Sequence, residues 1–220
     1  MNYKLAIFDM DGTLADTSEG IMNSHRYTHK MMGLVEPSDE DLDGVIGGPL
    51  LQTYQNHFGF SEKEAKNAVK IYRERYAEKG IYEAKLYEGM QAVLTALKSS
   101  HVKLGVATLK AERFAKTMLA DMGVASLFDV IYGVDDNDKR TKSELIQLCM
   151  HELNMSPKNT VMIGDSMHDL NGAIECDIAF IGVTYGFGFK KNAQNLNYPL
   201  CDMPNELLAY ILGKGESCKK

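Results

Sequence analysis

The residues able to do chemistry in this chain are acids, a hydroxyl and a lysine, each placed where an apolar run ends. Asp9 and Asp11 leave the run Leu5 to Phe8 two residues apart and are followed by Gly12-Thr13-Leu14. Thr108 follows Val102 to Ala107, Lys142 opens a helical pattern, and Asp165 and Asp169 follow Thr160 to Ile163. Neighbouring carboxylates repel and need a cation, a proton or basic groups beside them. Asp9, Asp11 and Asp165 offer hard oxygens for one Mg²⁺, which keeps several waters and also takes substrate phosphate. Thr108 and Lys142 add a donor and a positive charge for phosphate oxygens, the electrostatic support on which phosphoryl transfer depends. One Asp is then free to act as a nucleophile and form an aspartyl phosphate. Each residue alone has a plainer reading: an acidic turn, a helix cap at Thr108 or at Asp165-Ser166, a solvated lysine at Lys142. Four such features at one sheet edge argue for a site.

The elements that position them follow from pattern. Four consecutive apolar residues before Asp9 read as a short buried strand, since Asp and Gly then force a turn. From Thr17-Ser18 to about Ala84 the signals are helical. Ile21, His25, Thr28 and Met32 fall at helical spacing, and a short helix is expected from Ser38-Asp39-Glu40. Gly47-Gly48-Pro49 interrupts it and Leu50 to Phe58 resumes. Ser61 to Glu64 is a capping box ahead of a long helix with Ala65, Ala68, Val69, Tyr72 and Tyr76 on one face. Beyond Leu86 short strands and helices alternate. Helices are expected over Gly89–Lys98, Glu112–Met122, Ser143–Leu153, Asp169–Cys176 and Glu206–Leu212, and strands over Val102–Ala107, Val130–Tyr132, Thr160–Ile163 and Ile178–Val183. That alternation implies an α/β fold with a parallel sheet. The strand ends then lie along one edge, where open parallel sheets bind ligands. The expected division is a core of residues 1–15 and 86–220, with a helical cap of residues 16–85 inserted over the first strand.

Composition bounds the function. The 220 residues carry a net charge of −6, with Lys and Arg scattered, which argues against a nucleic-acid partner. No apolar run approaches the roughly 20 residues that span a bilayer, and Asp9 and Asp11 interrupt the only apolar stretch near the N-terminus. Cys149, Cys176, Cys201 and Cys218 have no CxxC spacing; free thiols in a cytoplasmic protein are expected. Arg26, His25 and His29 on the first inserted helix are expected to face solvent. The thirteen methionines are expected to fill the core.

At this level of detail the chain resembles the haloacid dehalogenase (HAD) superfamily, in its branch of phosphatases with a helical cap. Asp9-Met10-Asp11-Gly12-Thr13 matches the first motif, DxDGT, and Gly164 to Asp169 the fourth, GDxxxD. Thr108 and Lys142 stand at the second and third. The resemblance implies a Rossmann-like core and Asp9 as nucleophile. It implies that Asp11 protonates the leaving group and then activates water. Mg²⁺ would sit on the Asp9 and Asp165 carboxylates and the Asp11 carbonyl, with Asp169 beside or behind it. Thr108 and the Leu109 amide would hold the phosphate, and Lys142 would bridge phosphate and Asp9. Ser18 to Ser24, Ile46 to Leu50 and Gly182 to Gly188 are similar to phosphoglycolate phosphatases and 5′-nucleotidases, which makes Gly47, Gly48 and Pro49 candidates for a substrate loop. The expected activity is hydrolysis of a small phosphorylated metabolite by a monomer or homodimer. A pyrophosphatase and a sugar phosphomutase stay open, although mutases carry a His where this chain has Ile21. A receiver-type phosphoacceptor domain is the non-enzymatic alternative, but it needs only about 120 residues and a different motif order.

Overall fold

The computed structural model describes residues 2–135, 139–189 and 197–213. Its centre is the first strand, β1 (Leu5–Phe8), all four residues of which are buried. Ala6 and Phe8 pack into one hydrophobic layer and Leu5 and Ile7 into another, the period-two alternation of a strand covered on both faces. That double burial explains the uninterrupted apolar run.

After β1 comes the two-residue strand β2 (Ala15–Asp16), then α1 (Ser18–Met31), a short helical turn α2 (Leu50–Gln52) that widens into a π turn over Thr53–His57, and α3 (Glu62–Glu78). A second short strand, β3 (Lys85–Leu86), returns antiparallel to β2, Ala15 opposite Leu86. The two chain crossings between helical segment and sheet therefore run side by side. Then follow α4 (Met90–Ser99), β4 (Lys103–Ala111), α5 (Glu112–Asp121), β5 (Val130–Val134) and α6 (Lys142–Glu152). The chain closes with β6 (Thr160–Gly164), α7 (Met167–Glu175), β7 (Ala179–Val183), β8 (Leu200–Cys201) and α8 (Leu207–Ile211).

The main sheet is six-stranded and parallel throughout, in the order β5-β4-β1-β6-β7-β8. Phe8 stands opposite both Val106 and Ile163, and the Asp9 amide continues the ladder to the Ile163 carbonyl at 2.9 Å. The register therefore sets Asp9, Thr108 and Asp165 at neighbouring levels on three adjacent strands. The chain leaves β1 for β4 on one side and β6 on the other, so these ends lie at a topological switch point.

Several local expectations change. Residues from Ser38 form turns, not a helix: the Asp41 carboxylate accepts from the Ser38 amide and hydroxyl at 2.9 and 2.8 Å, and Gly44 and Gly47 have positive φ. The capping box at Ser61 forms as read. Strand β4 runs on past Thr108 to Ala111, with its register against β5 broken between the two. Met10, Met90, Met118 and Met162 are buried, whereas Met31, Met167 and Met203 are more than half exposed. Cys149, Cys176 and Cys201 are buried free thiols, and Cys218 lies outside the described residues. No helix among the described residues is long and apolar enough to cross a membrane.

Candidate active site

Three carboxylates and one ammonium meet at the carboxyl edge of the sheet. Asp9 follows β1, Asp165 follows β6, Asp169 lies in the first turn of α7, and Lys142 is the first residue of α6. Ligand oxygens of Asp9, Asp165 and Asp169 lie within 4.8 Å of one another, and all three residues are buried. The Lys142 ammonium is 2.8 Å from Asp9 Oδ1 and 2.8 Å from Asp169 Oδ1, and it donates to the Ala107 carbonyl at 2.9 Å. Asp169 Oδ2 accepts from the Ser166 amide and hydroxyl at 3.1 and 2.7 Å. Asp169 is thus tied down on both oxygens and holds Lys142 from behind.

Asp165 is held differently. Its Oδ2 accepts from the Phe187 and Gly188 amides at 2.7 and 3.1 Å, and its carbonyl accepts from Phe189 at 2.7 Å. The loop after β7 can come this close because it is glycine-rich: a Cβ at Gly186 would overlap the Gly12 carbonyl and Asp165. Gly12, at φ +77, turns the chain after Asp11, and a Cβ there would overlap the same carboxylate.

Charge in this pocket is unbalanced. Burial raises Asp9, though Lys142 beside it opposes the rise. Burial and the nearby Asp9 and Asp169 push Asp165 up to about 7, against two backbone amides that lower it. Lys142, despite its burial, is held above the usual lysine range by Asp169 and Asp9. Three buried carboxylates against one ammonium, all on hard oxygens, suit a divalent cation, which would reverse the upward pressure on Asp165. The donor set therefore fits Mg²⁺.

The Asp11 carboxylate stands outside this cluster. Its Oδ1 accepts from the Thr17 hydroxyl at 2.6 Å and pairs with Lys110 at 3.1 Å. Thr17 sits at the start of α1, yet its side chain makes no cap; the hydroxyl goes to Asp11 instead. Lys110 also donates to the Tyr76 hydroxyl on α3 at 2.7 Å. Sequence reasoning missed Lys110, because it ended β4 at Thr108. The available signal was a lysine two residues beyond a strand-end threonine. The amides of Phe187 and Gly188 were missed as well, and no residue type marks a backbone donor.

One cavity joins these parts. It is lined from the sheet side by Asp9, Asp11, Thr108, Leu109 and Lys110, and from the helical segment by Ile21, His25, Val45, Gly47, Gly48, Pro49, Leu50, Tyr72, Arg73 and Tyr76. The candidate loop Gly47-Gly48-Pro49 thus faces the same space as Asp9. His25 and His29, expected in solvent, are buried. They fall on the face of α1 that carries Ile21 and Thr28, and their rings pack among Tyr54, Phe58 and Tyr72. Arg26 is half-buried and pairs with Asp39. His168 is exposed.

Residues 6–183 match the family model of haloacid dehalogenase-like hydrolases. The chain belongs to this family, and it is an enzyme, a phosphatase. It is 39% identical over 189 residues to a 5′-nucleotidase of Pseudomonas aeruginosa, covering 86% of each chain. It is 33% identical over 186 residues to the tyrosine-protein kinase PtkA of Mycobacterium tuberculosis, 84% of this chain but 63% of that protein. The crystal structure of a predicted phosphatase from Clostridium acetobutylicum superposes with a TM-score of 0.89 at 34% identity, over 97% of this chain and 100% of that one.

Two outcomes follow from the geometry. Asp165 titrates near 7 in the fold against 3.8 unperturbed, so its ionisation opposes folding fully above pH 7 and not at all below about pH 4. In chelator, Asp165→Asn will raise the melting temperature at pH 8, relieving up to about 4 kcal/mol, and leave it unchanged at pH 4; calorimetric scans at both pH values check this. Gly172 on α7 faces the Lys142 stem, where a Cβ would come within 2.6 Å of Lys142 Cγ. Gly172→Ala will destabilise by about 1–3 kcal/mol in urea unfolding and lower kcat by shifting Lys142 from the two carboxylates.

Proposed function

We propose that the chain is a Mg²⁺-dependent phosphomonoesterase that acts on a small phosphorylated metabolite through an aspartyl phosphate on Asp9. The observation that carries the reading is the buried Asp9–Lys142–Asp169 arrangement with Asp165 beside it, opening on a cavity walled by the helical segment. Residues 1–15 and 86–220 form the core domain in this reading and residues 16–85 the cap. The antiparallel pair β2–β3, which ties both crossings together, supports that division.

The carboxylates of Asp9 and Asp165 and the Asp11 carbonyl would hold Mg²⁺, whose charge would draw a phosphate dianion toward the acidic edge and offset charge in the transition state. Lys142 fixes Asp9 Oδ1 and so orients the nucleophile. The Thr108 oxygen accepts from the Lys110 amide at 3.2 Å, which leaves its proton free to donate to a phosphate oxygen. The Leu109 amide is a second donor beside it. The Asp9 oxygen attacks phosphorus, the ester bond breaks, and the leaving alkoxide takes a proton from Asp11. Water then gives a proton to Asp11 as its oxygen attacks phosphorus, releasing orthophosphate and the Asp9 carboxylate. Ile21 presents no acid or base to the cavity, which favours water over a second substrate hydroxyl as acceptor.

The name of the Pseudomonas relative makes nucleoside monophosphates the first substrates to try. Buried free thiols support a cytoplasmic location. Asp9→Asn will reduce kcat by about a thousandfold or more while the fold survives, since an amide is a poor nucleophile. EDTA will abolish phosphate release and Mg²⁺ will restore it. Turnover by the Asn variant, or full activity with metal verified absent, removes the reading.

A further inference from the structure

The loop after β7 holds the carboxylate of Asp165, and one phenol ties that loop to the turn after Asp11. The Tyr185 hydroxyl donates to the Thr13 carbonyl at 3.1 Å. Burial raises the phenol above its ordinary range, so it stays protonated as a donor. Its ring meets Tyr87 edge-on, with centroids 4.7 Å apart, and the Tyr87 amide donates to the Leu14 carbonyl at 3.1 Å. The turn itself is tightly wound: the amides of Thr13, Leu14 and Ala15 all converge on the Met10 carbonyl. Tyr185 therefore joins three stretches far apart in sequence, namely the turn after Asp11, the crossing after β3 and the loop after β7.

The residues that follow Tyr185 reach Asp165. Gly186 lies so close to the turn that a Cβ there would stand 2.2 Å from the Gly12 carbonyl oxygen and 2.5 Å from Asp165 Oδ2. The Phe187 and Gly188 amides then both donate to that same Oδ2, at 2.7 and 3.1 Å. Asp165 Oδ1 takes no hydrogen bond among the described residues, and it is not one of the enclosed unpaired atoms, which are Thr13 Oγ1, His25 Nε2 and Asp169 Oδ1. It is thus the open oxygen of Asp165. Asp9 shows the same division, with Lys142 on Oδ1 and Oδ2 left over. A carboxylate fixed on one oxygen presents the other in one direction, which suits the near-ideal octahedron that Mg²⁺ demands.

We propose that Tyr185 is a positioning residue for the divalent cation: through the Thr13 carbonyl it locks the loop that aims Asp165 to the turn that carries Asp11. This rests on the Mg²⁺-dependent reading and adds to it a residue outside the cavity wall. Without the phenol the two amides drift from Oδ2, and Asp165 loses its fixed aim while keeping its charge. The consequence is weaker metal binding, not slower chemistry once metal is bound. Groups that orient a metal ligand from outside the coordination sphere typically matter about 10–100-fold in affinity.

The test is a calorimetric Mg²⁺ titration of the metal-free protein, with Mn²⁺ followed by its EPR spectrum as a second readout, in the wild type, Tyr185→Phe, Tyr87→Phe and Gly186→Ala. Tyr185→Phe keeps the ring against Tyr87 and removes only the donor. Its Kd for Mg²⁺ is expected to rise about tenfold. The Mg²⁺ concentration for half-maximal phosphate release should rise in parallel, with kcat at saturating Mg²⁺ within about twofold of the wild type. Tyr87→Phe leaves the Thr13 bond in place and is expected to bind as the wild type does. Gly186→Ala pushes the loop away from the turn and is expected to weaken binding at least as much as Tyr185→Phe. An unchanged Kd in Tyr185→Phe overturns the proposal, as does an equal loss in Tyr87→Phe. A fall in kcat with no change in Kd overturns it too. If Tyr185→Phe fails to fold, folded Gly186→Ala decides, and an unchanged Kd there is fatal. A wild type that binds no Mg²⁺ by either readout marks instead the failure of the metal-dependent reading, and this proposal falls with it.

Discussion

A single buried ammonium makes the sheet edge tenable. β1 and β6 are neighbours, so their ends bring Asp9 and Asp165 together, and α7 adds Asp169. Carboxylates this close and this buried resist ionising together. Lys142 answers two of them at 2.8 Å each. It does so from the first residue of α6, where the helix dipole disfavours a cation. The placement holds because two full charges at contact distance outweigh a partial charge of about half a unit. Removing one member of such a pair leaves the others buried and uncompensated, typically at a cost of about 3–5 kcal/mol. Asp165, which Lys142 does not reach, is left with the excess negative charge. The same imbalance suits the edge to a divalent cation.

The second acid of the first motif lives in a separate environment, and that separation has a structural cause. Gly12 turns the chain at positive φ, and Asp11 swings toward Thr17 and Lys110 instead of the carboxylate cluster. Lys110 reaches across to Tyr76, which stacks on Tyr72 at 5.5 Å. One lysine therefore links an acid of the sheet edge to an aromatic pair of α3. Any movement of the helical segment relative to the sheet must stretch or exchange that link. The position of the inserted helices and the hydrogen bonding of Asp11 are thereby coupled.

The sheet was legible because β1, β4, β6 and β7 are short apolar runs ended by Asp, Thr or Gly, signals that depend on neighbours in sequence. The carboxyl-edge residues were legible for the same reason: Asp9, Asp165 and Lys142 each sit at an element boundary. What the sequence hid depends on contacts between distant residues. His25 and His29 look like surface residues on composition, but Tyr54, Phe58 and Tyr72 cover that face of α1, and no local pattern announces the cover. The Ser38 segment has helix-start residues, yet Ser38 and Asp41 satisfy each other in a turn, a competition between cap and turn that the same side chains serve equally. Lys110 was invisible because the strand outlasts its apolar run and its register breaks just there.

The interior of the helical segment is unusually polar, and most of its polarity is answered locally. Ser24 donates to the Gly20 carbonyl at 2.7 Å, Thr28 to Ser24 at 2.7 Å, and His29 Nδ1 meets the His25 carbonyl at 2.9 Å. Each side chain folds back onto its own helix one turn away, which lets α1 bury them against α3. Arg75 is handled similarly, through Glu83, Ser24 and the Gly20 carbonyl. Within that pattern His25 Nε2 is the exception among the described residues of the segment. A leucine of similar size would pack against the same rings without the unpaired nitrogen.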